Sequence, residues 1–234
     1  DALDHVRRLK AQGGSSVKNY NQPRREQRQQ VVEAARQENM LVVAEGGSLF
    51  GMDMALIADG NSTLEHNVPL EVFYDDVVQF FSQSQTNYTP TLVVSYGGLA
   101  GDPYWRQATD VFDHPLLKHT PPKRLAANTV RRTKAPESDF VDDDNAREAK
   151  KLADSGVLVS IGAHGQQAGI ASHWELWSFV RGGMSPLQAL RAGTIDAAKS
   201  LGMGSEIGSL EVGKLADLVV LDANPVEDIG NSDK

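Results

Sequence analysis

The chain has 234 residues, 40% of them hydrophobic and 23% charged, with a formal net charge of −8 and no cysteine. These values fit an ordinary globular protein, and the lack of cysteine excludes disulfides, a thiolate nucleophile and a cysteine-ligated zinc finger. The acidic balance argues against a nucleic-acid surface, and the short basic cluster Arg131, Arg132 and Lys134 reads as a solvated face. No apolar run approaches the length of a membrane span, and no signal-peptide pattern is visible. The expectation is a protein of the cytoplasm or the periplasm, with neither nucleic acid nor membrane as a partner. The chain opens on Asp1, already within an amphipathic segment, and natural residues are expected to precede it.

In chain order, Leu3, Val6 and Leu9 recur at helical spacing over residues 3–12, closed by Gly13 and Gly14. Residues 15–20 read as a short strand, and 23–39 as a charged helix carrying Val31, Val32, Ala34 and Ala35. Residues 40–45 (MLVVAE) read as a buried strand cut by Gly46 and Gly47. A helix near 49–58 precedes a brief strand over 62–66, and residues 71–85 have the apolar spacing of an amphipathic helix. Residues 89–96 (TPTLVVSY) read as a fourth strand ending at Gly97 and Gly98. Residues 99–138, polar and rich in Pro, His and Arg, read as an excursion with short helices over one end of the sheet. The helix expected over 139–154 opens with acids, which suit the helix dipole. Residues 157–161, mostly apolar and β-branched, read as a strand buried on both faces. Gly162 and Gly165 flank His164 just past its end, and a helix carrying His173 follows. Residues 185–188 (SPLQ) form a capping box with Pro186 at the first helical position. Residues 215–221 (LADLVVL) read as a last strand of different style.

Strands alternating with helices imply a parallel sheet. Five strand–helix units lie before residue 205. A doubly wound sheet and a (β/α)8 barrel both fit, and in a barrel three units would be absent. In either architecture the chemistry collects at the C-terminal strand ends. Those ends carry Lys18, Glu45, His66, Ser95 with Tyr96, and His164. Two imidazoles, a carboxylate and an amine suit a zinc-type hydrolytic site. Each also has a structural reading: His66 as a loop histidine, Glu45 as a paired buried carboxylate, Lys18 as an ordinary exposed lysine. His173 starts a helix near the mouth, where it is a substrate contact or a support for one. His5, His114 and His119 read as surface residues. Residues 208–214 (GSLEVGK) have the spacing of a phosphate-binding loop, but Leu215 stands where Ser or Thr is needed and a strand pattern follows, so a turn is predicted. Ser95 lacks the glycine two residues before it that a nucleophile elbow needs.

Residues 207–222 (IGSLEVGKLADLVVLD) closely resemble the C-terminal signature of the amidohydrolase superfamily, and residues 184–190 (MSPLQAL) and 194–198 (TIDAA) match the two helices before it. Within the superfamily the chain resembles the imidazolonepropionase- and prolidase-like branch. Residues 44–47 (AEGG) and 161–165 (IGAHG) are similar to a subgroup often fused to a Tol-type β-propeller. The resemblance implies an α/β chain forming part of a (β/α)8 (TIM) barrel, strands four to eight, over residues 1–205. Residues 206–234 would supply a C-terminal segment of a small β-sandwich built from both termini. It also implies one or two divalent metals, zinc foremost, activating water against an amide, peptide or cyclic C–N bond of a small-molecule or peptide substrate.

Lys18 falls where many relatives carry a carboxylated lysine that bridges two metals, and His66 falls on the sixth-strand metal-binding histidine. The first-strand His-x-His pair is not in this sequence. Glu45 stands where most relatives have a fifth-strand histidine, and His164 where nearly all have an aspartate that binds metal and takes water's proton. The expected site therefore has Lys18, Glu45, His66 and His164 as metal ligands. Glu45 and His164 are also its catalytic groups, with exchanged roles, and Tyr96 and His173 contact substrate. The expected partner is the N-terminal part of the same protein or a second copy, and this piece alone is expected to be inactive. Two rival readings stay open: a degenerate barrel used for binding or as a scaffold, and a serine hydrolase with Ser95 as nucleophile.

Overall fold

The computed structural model describes residues 1–20, 22, 24–46, 49–130 and 132–234. Pro23, expected to open a helix, Gly47 after the second strand, and Arg131 of the basic cluster lie outside the described residues. The elements run α1 (Ala2–Ala11), β1 (Ser16–Asn19), α2 (Arg25–Gln37), β2 (Leu41–Glu45), α3 (Phe50–Ala58), β3 (Thr63–Glu65), α4 (Asp75–Ser84) and β4 (Asn87–Thr89). Then come α5 (Gly101–Ala108), α6 (Pro122–Thr129), α7 (Asp142–Asp154), α8 (Ala171–Arg181), α9 (Pro186–Ala192) and α10 (Ile195–Ser200). Short 3-10 turns stand at Leu92–Val94, Pro115–Leu117, Glu137–Asp139 and Ile229–Asp233. The capping box is formed, with Ser185 Oγ accepting the Gln188 N–H at 3.2 Å. None of the helices among the described residues is long and apolar enough to cross a membrane.

β1 to β4 form one parallel sheet in sequence order. The strand expected at 157–161 joins it as a bridge between Tyr88 and Val159. Tyr88 N–H donates to the Leu158 carbonyl at 2.9 Å, and Ser160 N–H to the Tyr88 carbonyl at 2.9 Å. Because side chains alternate along a strand, each strand feeds two environments. Ala44, Leu64, Tyr88 and Val159 are buried in the main core with Phe73, Phe81 and Phe179 from the helical layer and its loops. The Val, Leu and Phe side chains among these each contribute about 1.5–3 kcal/mol on burial. The other face carries Lys18, Glu45, Thr63, Glu65, Thr89 and Ser160 around a cavity. Barrel interiors are usually filled by bulky branched apolar residues, so this polar face is available for chemistry.

Two expected strands differ. The ladder of β4 ends at Thr89, since Pro90 has no N–H to give and Thr91 turns left-handed at φ 54°, so Leu92–Val94 coil into a 3-10 turn. Residues 215–221 join no ladder among the described residues: the four-stranded sheet is built from β1 to β4 alone, and no second sheet is there to take them. Leu215 N–H bonds the Glu206 carbonyl at 2.9 Å, while Leu215, Leu218, Val219 and Val220 are 63%, 60%, 83% and 93% exposed. The turn before them is present. Gly208 and Gly213 take φ of +90° and +95°, and Lys214 Nζ donates to the Gly204 carbonyl at 2.7 Å and Ser209 Oγ at 2.6 Å.

Candidate functional site

The C-terminal strand ends enclose a cavity of about 400 Å³ lined by Lys18, Glu45, Glu65, His66, Thr89 and His164, among others. In the sheet register Lys18 lies opposite Val43, two residues before Glu45 on the same face. The Lys18 amine pairs with Glu45 Oε2 and also lies 4.7 Å from the Tyr20 ring centre. The other carboxylate oxygen, Oε1, faces His66 Nε2 at 3.7 Å, too far for a hydrogen bond. The His66 ring centre stands 5.1 Å from that of His164 and 5.3 Å from that of Tyr96. Lys18, Glu45, His66, Tyr96 and His164 are thus brought together. His173 is not: its Nδ1 bonds Ser232 Oγ at 3.0 Å, beside Trp177, and it does not line the cavity.

The backbone is unusual at this site. His66, Thr91 and His164 take φ of 69°, 54° and 53°, a region that side-chain-bearing residues seldom occupy and that costs energy to hold. The left-handed turn at His66, pinned by its N–H to the Thr89 carbonyl at 2.8 Å, lets consecutive Glu65 and His66 both line the cavity. A continued strand would send them to opposite faces. Gly46 permits the neighbouring close approach, since a Cβ there would fall 2.7 Å from the Glu65 carbonyl oxygen.

Burial pushes the His66 imidazole below its ordinary value, with His164 adding to the effect and Glu45 opposing it, so His66 is neutral at neutral pH. Burial pushes the Glu65 carboxyl up, against hydrogen bonds from the Thr63 and Thr89 hydroxyls; the Thr63 bond is 2.6 Å. Burial also raises the Tyr96 phenol, helped by the charge of Glu45. Glu65, Thr63 and Thr89 also line this cavity, although the sequence analysis does not single them out. Their signal was the period of two through Thr63 and Glu65, and the register that sets Glu45, Glu65 and Thr89 side by side.

A divalent metal is suited by carboxylate oxygen and neutral imidazole nitrogen. Two ligands of one tetrahedral zinc stand roughly 3.3 Å apart, close to the Glu45–His66 spacing of 3.7 Å. The donor chemistry therefore fits. Among the described residues, no three His, Asp or Glu side chains converge into a ready cage, and His164 Nδ1 faces Gln166 Oε1 at 3.5 Å. The Ser95 hydroxyl, by contrast, donates to the Leu92 carbonyl at 2.9 Å in a buried position, which is a structural use.

Residues 22–234 match the sequence profile of the Amidohydrolase family. The imidazolonepropionase of a Geobacillus species is 35% identical over 104 residues, 43% of this chain and 24% of that protein. The ochratoxinase of Aspergillus niger is 36% identical over 76 residues, 32% of this chain and 16% of that protein. Its crystal structure superposes with a TM-score of 0.62 and 22% identity, covering 98% of this chain and 49% of that one. The crystal structure of an Xaa-Pro dipeptidase with bound methionine in the active site superposes with a TM-score of 0.67 and 21% identity, covering 99% of this chain and 54% of that one. The chain therefore spans about half the length of these solved relatives, and its four-stranded parallel sheet corresponds to part of their (β/α)8 barrel. On the match over residues 22–234, the chain belongs to the amidohydrolase family.

Proposed function

We propose that the whole protein is a hydrolase that cleaves a carbon–nitrogen bond in a small-molecule or peptide substrate, using a divalent metal. Family membership supports the reaction class, and relatives that include a dipeptidase support a peptide-like substrate. The observation that carries the reading is the unbonded confrontation of Glu45 Oε1 and His66 Nε2 at 3.7 Å, in a cavity that Lys18 and His164 also line.

Glu45 and His66 would hold the metal, with His164 and Lys18 adjoining, and zinc suits this mixed oxygen and nitrogen set. When bound, the metal supplies Lewis acidity toward water and the scissile carbonyl. The chain's own groups do the rest. Lys18 holds Glu45 Oε2 and leaves Oε1 aimed at His66. Glu45 takes the proton of the attacking water and returns it to the leaving nitrogen. Neutral His66 is ready to donate a lone pair without first losing a proton. His164, at the exposed rim, orients the water, and Tyr96 walls the substrate's side next to His66. The same reading assigns residues 1–205 to the barrel and 206–234 to the β-sandwich segment, whose sheet would take up residues 215–221.

The test is hydrolysis of a panel of dipeptides and cyclic amides by the whole natural protein, before and after chelation and after adding back zinc. Loss on chelation and return with zinc is expected. Hydrolysis that survives chelation overturns the metal, and a protein that binds zinc nowhere and hydrolyses nothing is a scaffold.

A further inference from the structure

Glu175 lies on α8 and is fully buried. Its Oε1 accepts the Val93 N–H at 2.7 Å and its Oε2 the Gly162 N–H at 3.3 Å, and the Leu92 backbone adds a further bond. The donors belong to two separate segments. One is the 3-10 turn Leu92–Val94 after β4; the other follows residues 157–161 and leads to His164.

The second segment lines the cavity through Gly162 and His164, and the first stands against His66, which also lines it. The Val94 backbone faces the His66 ring, and Tyr96, two residues on, stands 5.3 Å from that ring. Gly162 is two residues before His164. The segments press together so closely that a Cβ on Gly162 would fall 2.5 Å from Thr91 Oγ1 and 2.7 Å from Thr89 Cγ2. A carboxylate surrounded only by core is expensive to bury, and an apolar side chain would often fill such a position at less cost. What the carboxylate alone offers is two acceptor atoms at a fixed separation, one for each segment.

We infer that Glu175 is a positioning residue of this site: a buried two-ended clamp that sets the His164 segment against the His66–Tyr96 wall. It touches neither substrate nor metal and acts through the backbones of Gly162 and Val93. Its catalytic consequence rests on the proposed function, whereas its effect on the two imidazoles does not.

Glu175→Gln keeps the shape but turns an amide group toward one of the two segments, so one fastening is lost. Glu148→Gln is the matched control, because Glu148 is also a buried helical carboxylate accepting a backbone N–H, that of Phe73 at 2.7 Å, and does not line the cavity. In the whole natural protein, Glu175→Gln should shift the imidazole nitrogen resonances of His66 and His164. It should also speed hydrogen exchange at the Val93 or Gly162 amide by about tenfold, and weaken cobalt(II) binding roughly 10- to 100-fold. Glu148→Gln should leave all three at wild-type values. Faster amide exchange with unmoved imidazoles and unchanged cobalt affinity overturns the inference, since Glu175 would then serve the fold alone; no change in any readout overturns it as well. If the wild type binds no cobalt and hydrolyses nothing, the proposed function fails by itself, and the imidazole resonances still decide the role of Glu175. If Glu175→Gln does not fold, Gly162→Ala separates the same segments and must move the same imidazoles, and unmoved imidazoles there overturn the clamp.

Discussion

Asn67 and Tyr96 grip each other through two hydrogen bonds. The Tyr96 N–H donates to Asn67 Oδ1 at 2.6 Å, and Asn67 Nδ2 donates to the Tyr96 carbonyl at 3.0 Å. The same Nδ2 donates to Asn145 Oδ1 at 3.1 Å, tying the pair to α7. The residue after His66 thus fixes the residue whose ring stands against His66. Asn67→Ala leaves several buried polar groups unpaired and should destabilise the fold by about 2–3 kcal/mol. Urea unfolding should show a lower midpoint with an unchanged slope. Asn67→Asp keeps the acceptor for the Tyr96 N–H but sets a buried carboxylate oxygen against the Tyr96 carbonyl and Asn145 Oδ1, and should cost at least as much.

The roles proposed for Glu45, as the base, and His164, as the group that orients the water, give a second expectation. In the whole protein, Glu45→Gln should lower kcat by about 10²–10⁴ if Glu45 is the base. His164→Asp should bring no gain while Glu45 is present, because two carboxylates would compete for one proton. Steady-state kinetics beside elemental metal analysis checks both, and near-normal kcat in Glu45→Gln would make Glu45 a structural partner of Lys18.

Glu175 also gives a pH dependence. Burial pushes its carboxyl up to about 7 from an ordinary 4.5, against the backbone hydrogen bonds of Val93, Leu92 and Gly162. Between those values the folded chain holds a proton that the unfolded chain has released. The stability from this group is therefore full below about 4.5 and is lost as pH rises through 7, a fall on the order of 3 kcal/mol. His66, lowered by burial, works the other way, costing stability as pH falls below its unfolded value of 6.5. Urea unfolding at several pH values compares Glu175→Gln with wild type, and the same comparison in a His66→Asn background removes the His66 part. The variant should gain on the wild type as pH rises across that window, and a constant difference would mean an ionised Glu175 throughout.

Much of this architecture is legible in the residues, for physical reasons. Val42 and Ala44 alternate with Val43 and Glu45, so β2 and its cavity face follow from period two alone. Lys18, Glu45, His66 and His164 meet because parallel strands bring their C-terminal ends to one side. What escapes is set by tertiary context. Residues 92–94 are as β-branched as any strand, yet Pro90 and the left-handed Thr91 end the ladder first. His173 starts the expected helix, but that helix directs it to Ser232 and away from the cavity. Glu175 looks like one polar residue on an amphipathic helix, and only the fold shows that backbone donors from two loops converge on it.

The unpaired residues 215–221 give a last expectation. Apolar, exposed chain whose backbone joins no ladder is a ready template for pairing with another strand. This chain produced alone should associate with itself in a concentration-dependent way, visible by sedimentation, and Val219→Lys should reduce that association. It should also lack amide hydrolysis, having only part of a barrel. A monomer at all concentrations would show that the segment is satisfied as it stands.

The left-handed backbone at His66 and His164 bears on how an inert form of the protein should be made. At φ of 69° and 53°, alanine keeps the steric penalty of a Cβ while removing the side-chain contacts that offset it, so its phenotype would mix lost chemistry with a loosened chain. Asparagine enters this region more readily than other side-chain-bearing residues. His66→Asn or His164→Asn would thus remove the imidazole and leave the backbone where it was. Such a form could hold an uncleaved substrate long enough for it to be identified.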